Sequence, residues 1–200
     1  LIPRFYDATE GAVLVDGVDV RDYAPGALYD RLGYVTQKAV LFSGSIEDNV
    51  LFGESAAEQT EETAAAAIEA AQAKEFVDKL PEGTDYHIAQ LGRNVSGGQK
   101  QRLAIARALA RGAEILVFDD SFSALDYKTD AALRGELSRR FADTTKVIVA
   151  QRISSIRHAD EIIVLDRGEA VGIGTHDELM RTCRVYQEIA TSQLSAAELA

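Results

Sequence analysis

The sequence predicts an α/β fold built on a mainly parallel sheet flanked by helices. Two observations carry this expectation. From about Ser96 onward, helical and strand patterns alternate, which is how βαβ units read in a sequence. The apolar runs Ile115–Phe118 and Val147–Val149 are also continuous rather than alternating, the pattern of strands covered on both faces. With 200 residues, 46% of them hydrophobic, the chain can bury one substantial core. Only three prolines occur, and no Ser/Gly/Pro-rich tract or internal repeat divides the chain.

Taken in order, Gly11 to Val20 predicts a β-hairpin, with Asp16-Gly17 as its turn between alternating apolar residues. Leu32 to Thr36 reads as a strand ending at Gln37. Ala56 to Ala73, rich in Ala and Glu and free of Gly and Pro, predicts a helix. Lys100 to Arg111 carries Leu103, Ala106 and Leu109 at helical spacing. Ile115 to Phe118 is a buried strand, Lys128 to Phe141 the following crossover helix, and Val147 to Val149 the next buried strand. Ile162–Leu165 and Ala170–Ile173 flank a second turn, Asp166-Arg167-Gly168-Glu169. His176 to Leu194 is mostly helical.

A net charge of −11 argues against a nucleic-acid partner, because clustered Lys and Arg bind phosphate backbones and an acidic surface repels them. The single cysteine, Cys183, cannot form an intramolecular disulfide and reads as an ordinary thiol. No apolar run approaches the roughly 20 residues that span a bilayer, so membrane association is expected through a partner or another segment.

Chemistry concentrates in two places. Asp119 and Asp120 follow a buried apolar strand, where unpartnered carboxylates are costly and where open α/β sheets bind their ligands. An apolar strand ending in Asp is also common for purely structural reasons. Ser96-Gly97-Gly98-Gln99 combines a helix-capping hydroxyl, two glycines that let backbone N–H groups approach a ligand, and a positive helix end. Taken alone, it could equally be an ordinary cap.

Together these segments resemble the ABC ATPase family. VSGGQKQRLAIARAL (95 to 109), ILVFDD (115 to 120), SALD (123 to 126), YVTQ (34 to 37) and GTHDEL (174 to 179) stand in the family's order and approximate spacing. LIPRFYDATEG at the start and LFSGSIEDNVLFG at 41 to 53 resemble exporter-type members, whose ATPase domain follows a membrane domain on one polypeptide. The resemblance implies a P-loop NTPase fold of the ABC subclass over residues 1–200, with an N-terminal β-hairpin region and a helical subdomain at about 54–95. It implies ATP and Mg²⁺ as cofactors. It further implies a second ATPase subunit and a transmembrane domain as partners, and a place on the cytoplasmic face of the membrane. Asp119 matches the Walker B aspartate that holds Mg²⁺, and Gln37 the Q-loop glutamine that contacts Mg²⁺ and nucleotide. Ser96, Gly97, Gly98 and Gln99 match the signature that contacts the γ-phosphate of ATP held by the opposite subunit. Asp126 matches the D-loop aspartate, although for that residue alone a helix N-cap is the default reading.

Three departures stand beside the matches. The family's GxxxxGK[ST] loop does not occur in these residues, and the family pattern places it just upstream of Leu1, so the sequence is expected to be N-terminally truncated. Asp120 occupies the position of the catalytic glutamate. Its side chain is shorter by one methylene, about 1.5 Å, and misplacement of about 1 Å can cost on the order of 10²-fold in rate. Gln151 occupies the position of the switch histidine and cannot become cationic as imidazole can. His158 and His176 read as ordinary polar positions. The pattern resembles the degenerate-site subunit of a heterodimeric exporter, whose intact signature serves its partner's site. A homodimeric ATPase of reduced rate and a non-hydrolysing interaction module are the alternatives.

Overall fold

The computed structural model of the protein describes residues 1–53 and 58–193. They fall into two compact units, Leu1–Val149 and Ala150–Ala200.

The first unit opens with the expected hairpin, β1 (Leu14–Val15) against β2 (Val18–Asp19). Its turn residues Asp16 and Gly17 both take positive φ, 48° and 77°, the geometry that makes Asp-Gly a favoured two-residue hairpin loop. Helix α1 (Pro25–Asp30) starts on a proline, whose fixed φ suits a first helical turn, and leads into β3 (Leu32–Val35). A short strand β4 (Gly44–Ser45) runs into α2 (Ile46–Val50). There Ser45 and Asp48 cap each other reciprocally.

Helix α3 (Glu61–Ala70) begins on Thr60 as N-cap. The helix predicted for Ala56 to Ala73 is therefore shorter, and its start at Ala56 lies outside the described residues. At its end Gln72 adopts φ 57°, and α4 (Lys74–Val77) follows. A tertiary contact accompanies this break: Arg102 Nη1 donates to the Gln72 carbonyl at 2.7 Å. Strand β5 (His87–Ile88) pairs antiparallel with β4.

Helix α5 (Gly97–Ala110) leads to β6 (Ile115–Asp119), α6 (Tyr127–Arg140) and β7 (Thr145–Val149). Strands β3, β6 and β7 form the parallel sheet, with β6 in the middle and Tyr34 opposite Val117. Leu116, Val117 and Phe118 are buried, as a continuous apolar run requires. Strand β7 departs from expectation. It is an edge strand among the described residues and leaves Val149 52% exposed, so its apolar run does not correspond to full burial. The core joins α2, α3, α5, α6 and the sheet through Ile46, Ile68, Leu103, Ile105, Phe118 and Leu133. Each such side chain contributes about 1.5–3 kcal/mol by leaving water. Glycine at position 33 permits the closest approach, because a Cβ there would lie 2.8 Å from the Ala108 carbonyl oxygen.

The second unit holds α7 (Ile153–Ile156), the predicted hairpin β8 (Ile162–Asp166) with β9 (Glu169–Gly174), α8 (His176–Thr182) and α9 (Arg184–Gln193). Its own core gathers Ile162, Val164, Leu179, Cys183 and Tyr186.

Candidate functional site

The carboxyl end of the parallel sheet brings four of the first unit's polar side chains together. Parallel pairing sets Tyr34 beside Val117, and Asp119, two residues on, shares the face of Val117. Tyr34 spans that diagonal, and its hydroxyl donates to Asp119 Oδ2 at 3.1 Å. Burial above all, and then this bond to a carboxylate, raise the tyrosine pKa, so its hydroxyl stays a neutral donor at ordinary pH. Past the strand ends, Gln37 Nε2 donates to Asp120 Oδ2 at 3.2 Å.

The turn that carries both carboxylates is tightly specified. Asp120 adopts φ 45°, a left-handed conformation that Asp tolerates better than most residues. Its N–H still donates to the Val149 carbonyl, and its own carbonyl accepts from Ser123 Oγ at 2.8 Å. Fully buried Ser121 donates to the Val35 carbonyl at 3.1 Å, tying this turn back to β3.

A second group forms at two helix starts. Ser96 caps α5: its Oγ accepts from the Gln99 N–H, while Gln99 Oε1 accepts from the Ser96 N–H at 2.8 Å. Serine and glutamine thus hold each other in a capping box, and helix geometry leaves the Gly97 and Gly98 N–H groups without intrahelical acceptors. A Cβ built on Gly97 meets no atom within 4 Å, so this helix face is open. One on Gly98 would come to 3.5 Å from the Ala124 carbonyl, which places the start of α5 against the loop leading to α6. There Asp126 is the N-cap of α6, accepting from the Thr129 N–H and hydroxyl at 3.0 and 2.7 Å, and these bonds lower its pKa. The default cap reading of Asp126 is what the geometry displays, with its carboxylate turned to its own helix.

Two arginines on α5 anchor this arrangement, and the sequence motifs gave neither of them a role. Arg102 reaches the Gly98 carbonyl as well as Gln72, and lies 4.8 Å over the Phe76 ring. Arg107 donates to the carbonyls of Asn49 and Val40 and to Asn49 Oδ1, so it ties α5 to the segment that follows Gln37. It also lies beneath the stacked, half-exposed rings of Phe42 and Phe52.

Gln151 belongs to the second unit. It is exposed, and its carbonyl accepts from Gln193 Nε2 at 2.8 Å. His176 is engaged structurally, its Nδ1 2.8 Å from the Tyr186 hydroxyl. Among the described residues, no three His, Cys, Asp or Glu side chains cluster as a metal cage. The residues that could hold Mg²⁺, an ion that keeps waters and phosphate oxygens as its other ligands, are Asp119 through its carboxylate and Gln37 through its amide oxygen.

A sequence profile described as ABC transporter matches residues 1–123. The chain belongs to the ABC transporter family. An uncharacterized ABC transporter ATP-binding protein of Mycobacterium tuberculosis H37Rv is 47% identical over 98% of the chain and 34% of its own length. A Staphylococcus aureus protein named for multidrug export, an ATP-binding/permease protein, is 40% identical over 96% of the chain and 33% of its length. The chain therefore spans about a third of these relatives. A solved bacterial Atm1-family ABC exporter with ATP bound superposes with a TM-score of 0.90 at 36% identity, covering 96% of the chain and 33% of that protein. The fold is that of the ABC ATPases within the P-loop NTPases. No helix among the described residues is long and apolar enough to cross a membrane.

Proposed function

We propose that the chain is the ATP-binding domain of an exporter, at the cytoplasmic face of the membrane, powering transport through a transmembrane domain. In this reading residues 1–200 form one ATPase domain, with about 54–95 as its helical subdomain. Asp119 and Gln37 hold Mg²⁺, which supplies charge neutralisation at the phosphates when bound. Ser96, Gly97, Gly98 and Gln99 present the start of α5 to the γ-phosphate of ATP held by a second ATPase subunit, and Asp126 lies at that interface. Asp120 and Gln151 make the chain's own site slow, so the partner is a different subunit with a competent site.

The observation that carries this reading is the hydrogen bond from Gln37 to Asp120. A carboxylate one methylene short and drawn toward the Q-loop amide is badly placed to orient an attacking water, whereas the α5 start is capped and open. The test is steady-state ATPase of the assembled, full-length protein carrying Gly97→Asp or Asp120→Asn. Gly97 faces open space, so aspartate enters without steric cost and sets a carboxylate against developing phosphate charge. Gly97→Asp should nearly abolish turnover, and Asp120→Asn should lower it modestly. The 200-residue chain alone, which contains no GxxxxGK[ST] sequence, is the control and should release no phosphate. If Asp120→Asn abolishes hydrolysis while Gly97→Asp retains most of it, the degenerate site is excluded and a slow, symmetric homodimer replaces it.

A further inference from the structure

We propose that Tyr34 is a positioning residue for the Asp119 carboxylate, its hydroxyl fixing which carboxylate oxygen faces the metal. This rests on reading Asp119 as a metal ligand.

The hydroxyl donates to Asp119 Oδ2 at 3.1 Å, so one oxygen is engaged and the other would be left to meet a metal. Mg²⁺ demands near-ideal octahedral geometry, and a carboxylate free to rotate serves it less well than one pinned at a single oxygen. Everything around Tyr34 holds that hydroxyl in place. The ring packs edge-on to Phe5, with centroids 5.6 Å apart and planes at 77°. One residue earlier, Gly33 packs closely against α5 and Leu116, where a Cβ would lie 2.8 Å from the Ala108 carbonyl oxygen and 2.6 Å from Leu116 Cδ2. One residue later, the Val35 carbonyl accepts from Ser121 Oγ, so the turn after Asp119 is anchored to the same strand. Two ties from β3, one to the carboxylate and one to the turn behind it, leave Asp119 little freedom. Nothing in this cluster requires a hydroxyl for packing, since phenylalanine would keep the ring contact. The hydroxyl is therefore the group with a role toward the metal.

The experiment uses the whole natural polypeptide and Mn²⁺ as the probe, titrated by electron paramagnetic resonance with a non-hydrolysable ATP analogue present. Tyr34→Phe should weaken Mn²⁺ binding by about tenfold, at the lower end of what loss of a supporting hydrogen bond to a metal ligand costs. Nucleotide affinity without metal and the thermal midpoint should stay near wild type. Phe5→Leu, which removes the ring contact but keeps the hydroxyl, should leave Mn²⁺ affinity unchanged. Asp119→Asn should weaken Mn²⁺ binding at least as much as Tyr34→Phe, and adding Tyr34→Phe to it should have no further effect. If Tyr34→Phe binds Mn²⁺ like wild type while Asp119→Asn does not, the role of Tyr34 is refuted and that of Asp119 stands. If all variants bind Mn²⁺ alike, the reading of Asp119 as a ligand falls and takes the proposal with it. Equal losses from Phe5→Leu and Tyr34→Phe would assign the effect to ring packing and also refute the proposal.

Discussion

Replacing Arg107 with methionine tests whether the segment after Gln37 is held to α5 by a buried cation or merely lies beside it. Burial lowers the Arg107 guanidinium pKa to about 10, well below the ordinary arginine range. At about 1.4 kcal/mol per pH unit, keeping the charge costs the fold roughly 3 kcal/mol. Against this stand three hydrogen bonds from a charged donor, to Asn49 O, Asn49 Oδ1 and Val40 O, each worth about 1.5–3 kcal/mol. The bonds therefore outweigh the burial cost. Methionine removes both terms, keeps most of the volume beneath Phe42 and Phe52, and leaves acceptors short of a donor. A net loss of about 3 kcal/mol should lower the melting midpoint by roughly 6–12 °C in a domain of this size. Far-UV circular dichroism melts measure it. Because the pKa of this base is lowered, the burial cost is fully present below about pH 10 and relieved only as pH rises above that toward the ordinary arginine range. The difference between wild type and variant should therefore be flat from pH 6 to 9. A variant that melts within about 2 °C of wild type, or above it, would show that the bonds only offset burial, as at sites where hydrophobes replace buried charges without loss.

Two further perturbations probe the scaffold. Gly33→Ala should cost about 1–3 kcal/mol, because the new methyl meets the rigid Ala108 carbonyl at 2.8 Å and β3 must shift; an unchanged urea midpoint would mean that β3 moves freely. Glu47→Gln should stabilise at neutral pH. Burial first, then repulsion from Glu61, Asp85 and Asp48, raise the Glu47 pKa, so the protonated carboxyl is tolerated at low pH and stability is lost as pH rises through that raised value. Melts should coincide below pH 4.5 and separate at pH 7.5, and a variant no more stable at pH 7.5 would contradict the assignment.

Elements governed by local rules were legible. The Asp16-Gly17 and Arg167-Gly168 turns, the helix started by Ser96 and the apolar run of β6 each carry their own signal, and each stands where the sequence places it. Elements that answer to distant partners were not. Gln72 leaves α3 without a Gly or Pro to announce it, and its carbonyl accepts from Arg102, 30 residues away. The pairing of Gly44–Ser45 with His87–Ile88 joins two strands of two residues, too short to show any period. β7 reads as buried because its composition matches that of β6, but composition does not say which strand of a sheet is the edge. At the site, motif spacing picks out Asp119, Asp120 and Gln37 but not Tyr34, whose part depends on the β3–β6 register and on a diagonal that takes a long or aromatic side chain to span.

The shorter acid at position 120 has a second physical side that spacing alone could not supply. Read as a motif, Asp120 is a catalytic carboxylate drawn back by one methylene. In the fold the same residue holds φ 45°, where Asp is among the few non-glycine types found with any frequency. It continues the β6–β7 ladder through its N–H, and its carbonyl secures Ser123 on the way to the Asp126 cap. The backbone of residue 120 therefore shapes the turn that leads to α6, while its side chain meets Gln37. A change at this position acts on both, so a variant that keeps the backbone geometry, such as Asp120→Asn, isolates the carboxylate better than one that alters side-chain length. That is the physical ground for setting Asp120→Asn against Gly97→Asp: each changes charge at one helix start or strand end and leaves the surrounding fold as it was.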